Sequence, residues 1–512
     1  MSSNAVATPH LLSTEAGRHA LTRGGNAVDA AIAAIAAQGV VAPETCGIGG
    51  DLFALVHFPG WDRPRALNAS GRAGSRVDAS TLREAGLDEI PRDHPATVTI
   101  PGCVDGLAEL SRSFGRLSLA ECLEPAITLA QRGFEVSSEQ ASAFGRMADV
   151  YSGNPAVSDF YPRGSAVTEG EIVTRPALAR TLQSVAQEGR DAFYAGKAGD
   201  DIVAAVGGLI TLEDLAASQA EWVDPIGVEV AGLIGWTTPP NSQGYLGPGA
   251  LAVFESLGPP DDPDHPEWWH LLIEAYRCLA WERDDIVADP DHAPLPARLM
   301  LDAGRLARAS ESVQRGRAGS WPRPMGMEGD TAYLCTADSD GVAVSMIQSN
   351  YRGTGSAFGA TRSGFLLQDR GGGFSLMPGH PNELAPGKRP LHTLSPTLWT
   401  EDSNARWLLG TRGGAVQPQL VAQVGARAIV RGTDLGAALA APRWTVTDFG
   451  PQATPEIMVE PDVDPSILER LRSMGYSFSL ASGPRPGWGP VSAIELEGNE
   501  RRTARDERVA TT

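Results

Sequence analysis

Residues 27–39 read Ala-Val-Asp-Ala-Ala-Ile-Ala-Ala-Ile-Ala-Ala-Gln-Gly, a run of strong helix formers with small side chains on every face. A helix so rich in alanine can pack closely against a sheet on one side and a further layer on the other, so the chain is constrained to a layered fold. Asn26 supplies a plausible N-cap, and Asp29 places an acid where a helix N-terminus favours one. Downstream, Gly47-Ile48-Gly49-Gly50-Asp51 forms a glycine turn before a strand predicted over residues 52–58. A nucleotide-phosphate loop follows its strand, whereas this one precedes it, so nucleotide binding is set aside. The stretch 27–37 is interrupted by Asp29 and too short to span a bilayer.

Helices are predicted over 107–114, 119–132, 176–189, 212–219 (with Thr211 as N-cap), 268–282, 417–431 and 435–441. A short strand is predicted over 97–100, ending at Pro101-Gly102, and strands with glycine turns dominate from about 333 to 415. A strand-rich centre with helices before and after implies an α/β (α+β) arrangement. The chain has 512 residues, enough for one large or two intimate domains, and its 58 glycines imply many tight loops. Its 62 acids against 42 bases argue against nucleic acid or an anionic membrane as partner. Cys46, Cys103, Cys122, Cys278 and Cys335 are odd in number and unpaired in spacing, which reads as buried reduced thiols. The nine histidines form no His-Glu-x-x-His arrangement, so neither a metal nor a cofactor is expected. The first residues have no basic and then apolar segment, and a cytoplasmic location is expected.

In the centre of the chain, Asp330-Thr331 separates a Gly-, Arg-, Pro- and Met-rich stretch, 315–330, from a hairpin. The hairpin is predicted as strands 333–337 and 342–348 around the turn Asp338-Ser339-Asp340-Gly341. A threonine where a loop meets a strand suits a self-cleaving amidohydrolase. Breaking the Asp330–Thr331 bond would give Thr331 a free amine, with a reference pKa of about 8, beside its own hydroxyl. Such an amine can serve as the base that a neutral threonine lacks.

Several further runs occur in one order along the chain: Gly24-Gly25-Asn26-Ala27-Val28-Asp29, Gly47-Ile48-Gly49-Gly50, Pro101-Gly102-Cys103-Val104-Asp105-Gly106, Leu123-Glu124-Pro125-Ala126-Ile127, Pro386-Gly387-Lys388-Arg389-Pro390-Leu391 and Gly413-Gly414. Together they resemble the γ-glutamyltranspeptidases among the N-terminal nucleophile hydrolases. The resemblance implies a four-layer αββα sandwich made as a precursor that cleaves itself into a large chain, 1–330, and a small chain, 331–512. It implies Thr331 as nucleophile, Ser349 as the hydroxyl that orients it, and the amides of Gly413 and Gly414 as holders of the developing oxyanion. Arg72 matches the arginine that grips a substrate carboxylate, a bidentate task suited to a guanidinium. The partners implied are a small-molecule amide and the two cleavage chains as a heterodimer, with room for a dimer of these.

Three departures from that pattern bear on the substrate. Gly373 stands before Phe374-Ser375 where the family has an acid for an ammonium group, and nearby Arg370 favours anions instead. His392 and Thr393 replace a pair of serines, and the usual asparagine has only an offset candidate, Asn350. Ala332 also follows the nucleophile in place of a second threonine. The runs Asn68-Ala69-Ser70-Gly71-Arg72 and Gln348-Ser349-Asn350-Tyr351 are similar to a divergent branch of transpeptidase-like hydrolases and acylases, some acting on oxamate or acylated β-lactams. The expected activity is a threonine amidohydrolase, glutathione hydrolase-like, that hydrolyses rather than transfers. The Pro- and Gly-rich segment 374–388, read as a stiff flap, supports hydrolysis. The alternatives are an acylase or oxamate-type amidase without γ-glutamyl activity, and a non-cleaving binding scaffold.

Overall fold

The alternation of side chains in the central hairpin builds two layers at once. In the computed structural model, which describes residues 4–320, 329–446, 456–483 and 486–509, the hairpin strands are Asp330–Ala337 and Ala343–Tyr351. Tyr333, Cys335 and Ile347 point to one side, among Phe53, Leu55, Leu398, Leu408 and Ile494. Ala332, Leu334, Val344 and Met346 point to the other, among Ala27, Ala31, Ala34 and Ile35 of the alanine-rich helix. Period-two alternation thus buries both faces of the hairpin, as a strand between two layers requires.

The hairpin sits inside a six-stranded antiparallel sheet ordered Ala5–Ala7, Asp330–Ala337, Ala343–Tyr351, Asp51–His57, Arg65–Ala69, Glu221–Val223. A second antiparallel sheet of six faces it, ordered Glu500–Arg502, Val491–Glu497, Asn404–Thr411, Thr397–Glu401, Leu233–Thr237, Ile226–Val230. The sheets meet closely where Tyr333 lies over Gly410, since a Cβ there would come within 2.3 Å of the ring. Outside the first sheet lies the helix Ala27–Val41, every residue of it buried, closed by a reciprocal capping box between Asn26 and Asp29. Outside the second lie Leu246–Ser256, Pro266–Ala280 and Gln417–Gly425, packed on Trp399, Trp407 and Leu409. The result is an αββα sandwich, as expected.

Some boundaries moved. Residues 97–100 form no strand: Pro95–Thr97 is a 3-10 turn, and Ile100 N donates to the Arg72 carbonyl in a loop-to-loop contact. Four β-branched residues suggested a strand, but Pro95 and Pro101 frame a path with no ladder neighbour among the described residues. The helix expected over 107–114 begins earlier, as Cys103–Phe114, and that expected over 212–219 ends at Ala216. The helix from Gln417 widens into a π-turn at Ala426–Val430. Of the stretch expected to be a loop, residues 321–328 lie outside the described residues. All five cysteines are buried free thiols. Among the described residues no helix is long and apolar enough to cross a membrane, and no group of three His, Cys, Asp or Glu could hold a metal ion.

Candidate active site

Thr331 is the second residue of its strand and is 1% exposed. It shares a face with Tyr333 and Cys335, so its side chain belongs to the space between the sheets. The neighbouring strand is irregular at this point. Gln348 pairs with Ala332, but the next partner of Asp330 is Tyr351, leaving Ser349 and Asn350 opposite Thr331 alone. A bulge of this kind re-aims side chains. Here it lets Ser349 Oγ donate to the Asp330 carbonyl oxygen at 2.6 Å while accepting Tyr351 N at 2.7 Å. Asn350 falls on the opposite side, against Gly47 and Gly50, and its amide donates to the Thr354 carbonyl at 3.4 Å.

Around Thr331 the helix that starts at Gln417 supplies a donor, Gln417 Nε2 to Thr331 Oγ1 at 3.1 Å. Ser395 N fixes the other end of that amide, donating to Gln417 Oε1 at 3.2 Å. The Thr331 N–H donates to Asp330 Oδ1 at 2.9 Å. Gly413 (φ 120°) and Gly414 (φ 57°) turn sharply just before this helix, in the left-handed region where glycine is favoured. The chain entering Thr331 lies on Gly414: a Cβ on Gly329 would stand 3.1 Å from Gly414 Cα. Gln243 ties this turn to its neighbour, its Nε2 reaching the carbonyls of Thr393 (3.1 Å) and Gly414 (3.2 Å). Arg283 Nη1 holds Gln243 from behind at 3.1 Å.

A second cluster adjoins the first. Arg370 Nη1 donates to Thr393 Oγ1 at 3.2 Å, and its guanidinium lies 4.0 Å from the centre of the Tyr351 ring. His392 Nε2 meets Asp51 Oδ2 at 3.0 Å, and Leu394 N donates to His392 Nδ1 at 3.3 Å. These contacts require the proton on Nε2. Burial, reinforced by nearby Arg370, lowers the His392 pKa to about 3, so the ring is neutral at physiological pH. Asp51 also accepts Gly71 N (2.8 Å), Gly102 N (3.3 Å) and Gln368 Nε2 (2.8 Å). Arg72 lies elsewhere in the network. Its Nη2 donates to Glu221 at 2.7 Å and its Nη1 stands 3.6 Å from Asp289. None of its described contacts reaches Thr331, Ser349 or the glycine pair.

The structure thus brings together Thr331, Ser349 and Gly414, with Arg370, His392 and Thr393 in the adjoining cluster. Sequence reasoning missed Gln417, Gln243 and Asp51. Asp51 had one local signal, an acid closing a glycine turn at a strand start.

Acids crowd the Asp330 side chain. Burial raises its pKa, opposed by Arg412, whose Nη1 is 3.6 Å away. Glu44 is raised as well, from 4.5 to about 8, by burial first and then by Glu139. An unfolded Glu44 ionises near its ordinary value, so its neutral folded form costs stability as pH rises from 4.5 towards 8. Glu44→Gln is therefore expected to exceed the wild type by about 2–4 kcal/mol at pH 8 and to match it near pH 5. Urea unfolding at the two pH values measures this, and a pH-independent difference would refute it.

Two facing antiparallel sheets between helical layers, with a hydroxyl residue at the head of a central strand, define the N-terminal nucleophile hydrolase fold. The cephalosporin acylase from Bacillus halodurans has this structure too, with a TM-score of 0.90 and 32% identity over 99% of this chain and 95% of that one. Residues 13–512 match the family described as Gamma-glutamyltranspeptidase, and the chain belongs to it. It is 34% identical to the glutathione hydrolase-like YwrD proenzyme of Bacillus subtilis, over 96% of this chain and 94% of that one. It is 33% identical to the oxamate amidohydrolase proenzyme of Klebsiella pneumoniae, again over 96% and 94%. The protein is an enzyme of this hydrolase and acylase family.

Proposed function

We propose that the chain is a self-processed threonine amidohydrolase that cleaves an amide through an acyl-enzyme on Thr331, with water as the favoured acceptor. The observation that carries this reading is the hydrogen bond from Ser349 Oγ to the Asp330 carbonyl, 2.6 Å, beside the buried Thr331 hydroxyl. In the first phase the hydroxyl attacks that carbonyl carbon, the Asp330–Thr331 C–N bond breaks, and water hydrolyses the resulting ester. Asp330 is left with a free carboxylate and Thr331 with a free amine. In the second phase that amine takes the hydroxyl proton as Thr331 attacks a substrate amide, and the amides of Gly413 and Gly414 receive the oxyanion.

One observation favours an acylase or oxamate-type amidase over a γ-glutamyl enzyme. Gly373 offers no charge for an ammonium group, and its carbonyl is taken by Asn382 Nδ2 at 2.6 Å. The segment after it is folded down, with Phe374, Leu376 and Leu384 in a small core with Ala73 and Val77, which supports access of water to an acyl-enzyme. Intact mass after purification, together with turnover of p-nitroanilides, tests the reading. The expected result is two fragments divided between Asp330 and Thr331 and release of p-nitroaniline. A single uncleaved, inactive chain would overturn it and favour a binding scaffold.

A further inference from the structure

Arg370 is completely buried, yet most of its guanidinium is unsatisfied. Nη1 reaches Thr393 Oγ1, while Nε and Nη2 have no hydrogen-bond partner among the described residues. The other large buried arginines each have a carboxylate or several backbone carbonyls within reach, Arg389 among them through Glu221 at 3.2 Å and the Gln219 carbonyl at 2.9 Å. Arg277 pairs with Glu274 at 2.6 Å, Arg283 with Asp284 at 2.5 Å and Arg443 with Asp506 at 2.8 Å. Arg175 donates to the carbonyls of Gly39, Val40 and Gly364.

The carboxylates that act on Arg370 are committed elsewhere. Asp369 accepts Arg352 N at 3.0 Å and Arg352 Nε at 2.8 Å. Asp51 is occupied by two backbone amides, Gln368 and His392. An uncompensated buried cation is costly, and retaining one makes physical sense where an anion arrives to pair with it.

The position fits a substrate. Tyr351, under the guanidinium, is the register partner of Asp330 and donates its N–H to Ser349 Oγ. Thr393, the hydrogen-bond partner of Arg370, shares Gln243 with Gly414. Arg370 is therefore linked through Tyr351 to the Ser349 hydroxyl and through Thr393 and Gln243 to the glycine turn. Arg72, the carboxylate receptor expected from sequence, is already paired with Glu221 and lies near Asp289.

We propose that Arg370, assisted by Thr393, binds a carboxylate on the acyl part of the substrate, which makes the substrate class the monoamides of short dicarboxylic acids without an α-amino group. This rests on the amidohydrolase reading above. The absence of an acid at Gly373 accounts for the missing amino group, and the buried guanidinium accounts for the carboxylate.

The test compares glutaryl-, butyryl- and γ-glutamyl-p-nitroanilide with processed wild type, Arg370→Met, Arg370→Lys and Arg72→Met. Wild type is expected to prefer the glutaryl over both other amides. Arg370→Met is expected to reduce kcat/KM on the glutaryl amide by at least about 50-fold and far less on the butyryl amide. Arg370→Lys should recover part of the preference, and Arg72→Met should keep the wild-type ratio. Without ligand, Arg370→Met should melt no lower than wild type, because it removes an unpaired buried charge. If Arg370→Met does not fold, the glutaryl-to-butyryl ratio of Arg370→Lys decides. Equal losses on both amides, a γ-glutamyl preference, or loss of the preference in Arg72→Met would overturn the assignment. Failure of the amidohydrolase reading looks different, since no amide is then turned over. Calorimetry with glutarate then decides: binding lost in Arg370→Met supports the site, and no binding to wild type overturns it.

Discussion

Thr331→Ala is expected to leave the chain intact, and Ser349→Ala to slow its self-cleavage by about 10²–10³-fold. The first follows because the hydroxyl that would attack is gone. The second follows from the Ser349 donor, which sits on the Asp330 carbonyl oxygen at 2.6 Å in the uncleaved chain. That oxygen carries the negative charge once Thr331 Oγ1 attacks, so a donor already in place strengthens as the charge develops. Losing one such donor typically costs about 2.7–4 kcal/mol of transition-state stabilisation. Alanine would also release the Tyr351 N–H that holds the bulge, whereas Ser349→Thr keeps the hydroxyl and should cleave at close to the native rate. A time course of intact mass after cell-free synthesis separates the three variants. Native-rate cleavage of Ser349→Ala would limit the hydroxyl to supporting the bulge.

The parts of this site that were legible in the sequence are those set by neighbours along the chain. Asn26 and Asp29 announce a helix start because a capping box spans only three residues. The hairpin after Thr331 is legible because its turn residues and alternation lie within it. The bulge opposite Thr331 is not, because alternation alone cannot show that two residues will face one. Gln417 is 86 residues from Thr331 in sequence, and Asp51 is 341 from His392, so neither contact has a local pattern. Arg72 and Arg370 carry the same chemistry on paper. What separates them is the placement of Glu221, Asp289 and the committed Asp369, all decided by tertiary packing. Composition can suggest that an arginine binds an anion; only the fold shows which arginine is still unpaired.

Asp51→Ala is expected to destabilise the protein by about 3–5 kcal/mol, and Asp51→Asn by nearly as much, although asparagine has almost the same shape. Asp51 is fully buried and takes hydrogen bonds on both oxygens: Gly71 N, Gly102 N and Gln368 on one, His392 on the other. Alanine leaves Gly71 N, Gly102 N and His392 Nε2 without their acceptor, while Gln368 keeps only the longer contacts to the carbonyls of Ile100 (3.3 Å) and Thr99 (3.5 Å). Asparagine can keep its oxygen towards the glycines and Gln368, but its amino group then faces His392 Nε2–H, donor against donor. Moving the imidazole proton to Nδ1 relieves that clash and creates another, because Leu394 N already donates to Nδ1 at 3.3 Å. Either tautomer leaves one conflict in a buried site, and flipping the amide only moves it to the glycine side. The loss should spread to function, since Thr393 follows His392 directly and the Gln243 bridge to Gly414 starts from its carbonyl. Urea unfolding at neutral pH gives the stability of both variants, and intact mass gives their cleavage. An Asp51→Asn chain as stable as wild type would mean that the His392 contact contributes little. The polar network behind Thr331 would then rest on the backbone amides alone.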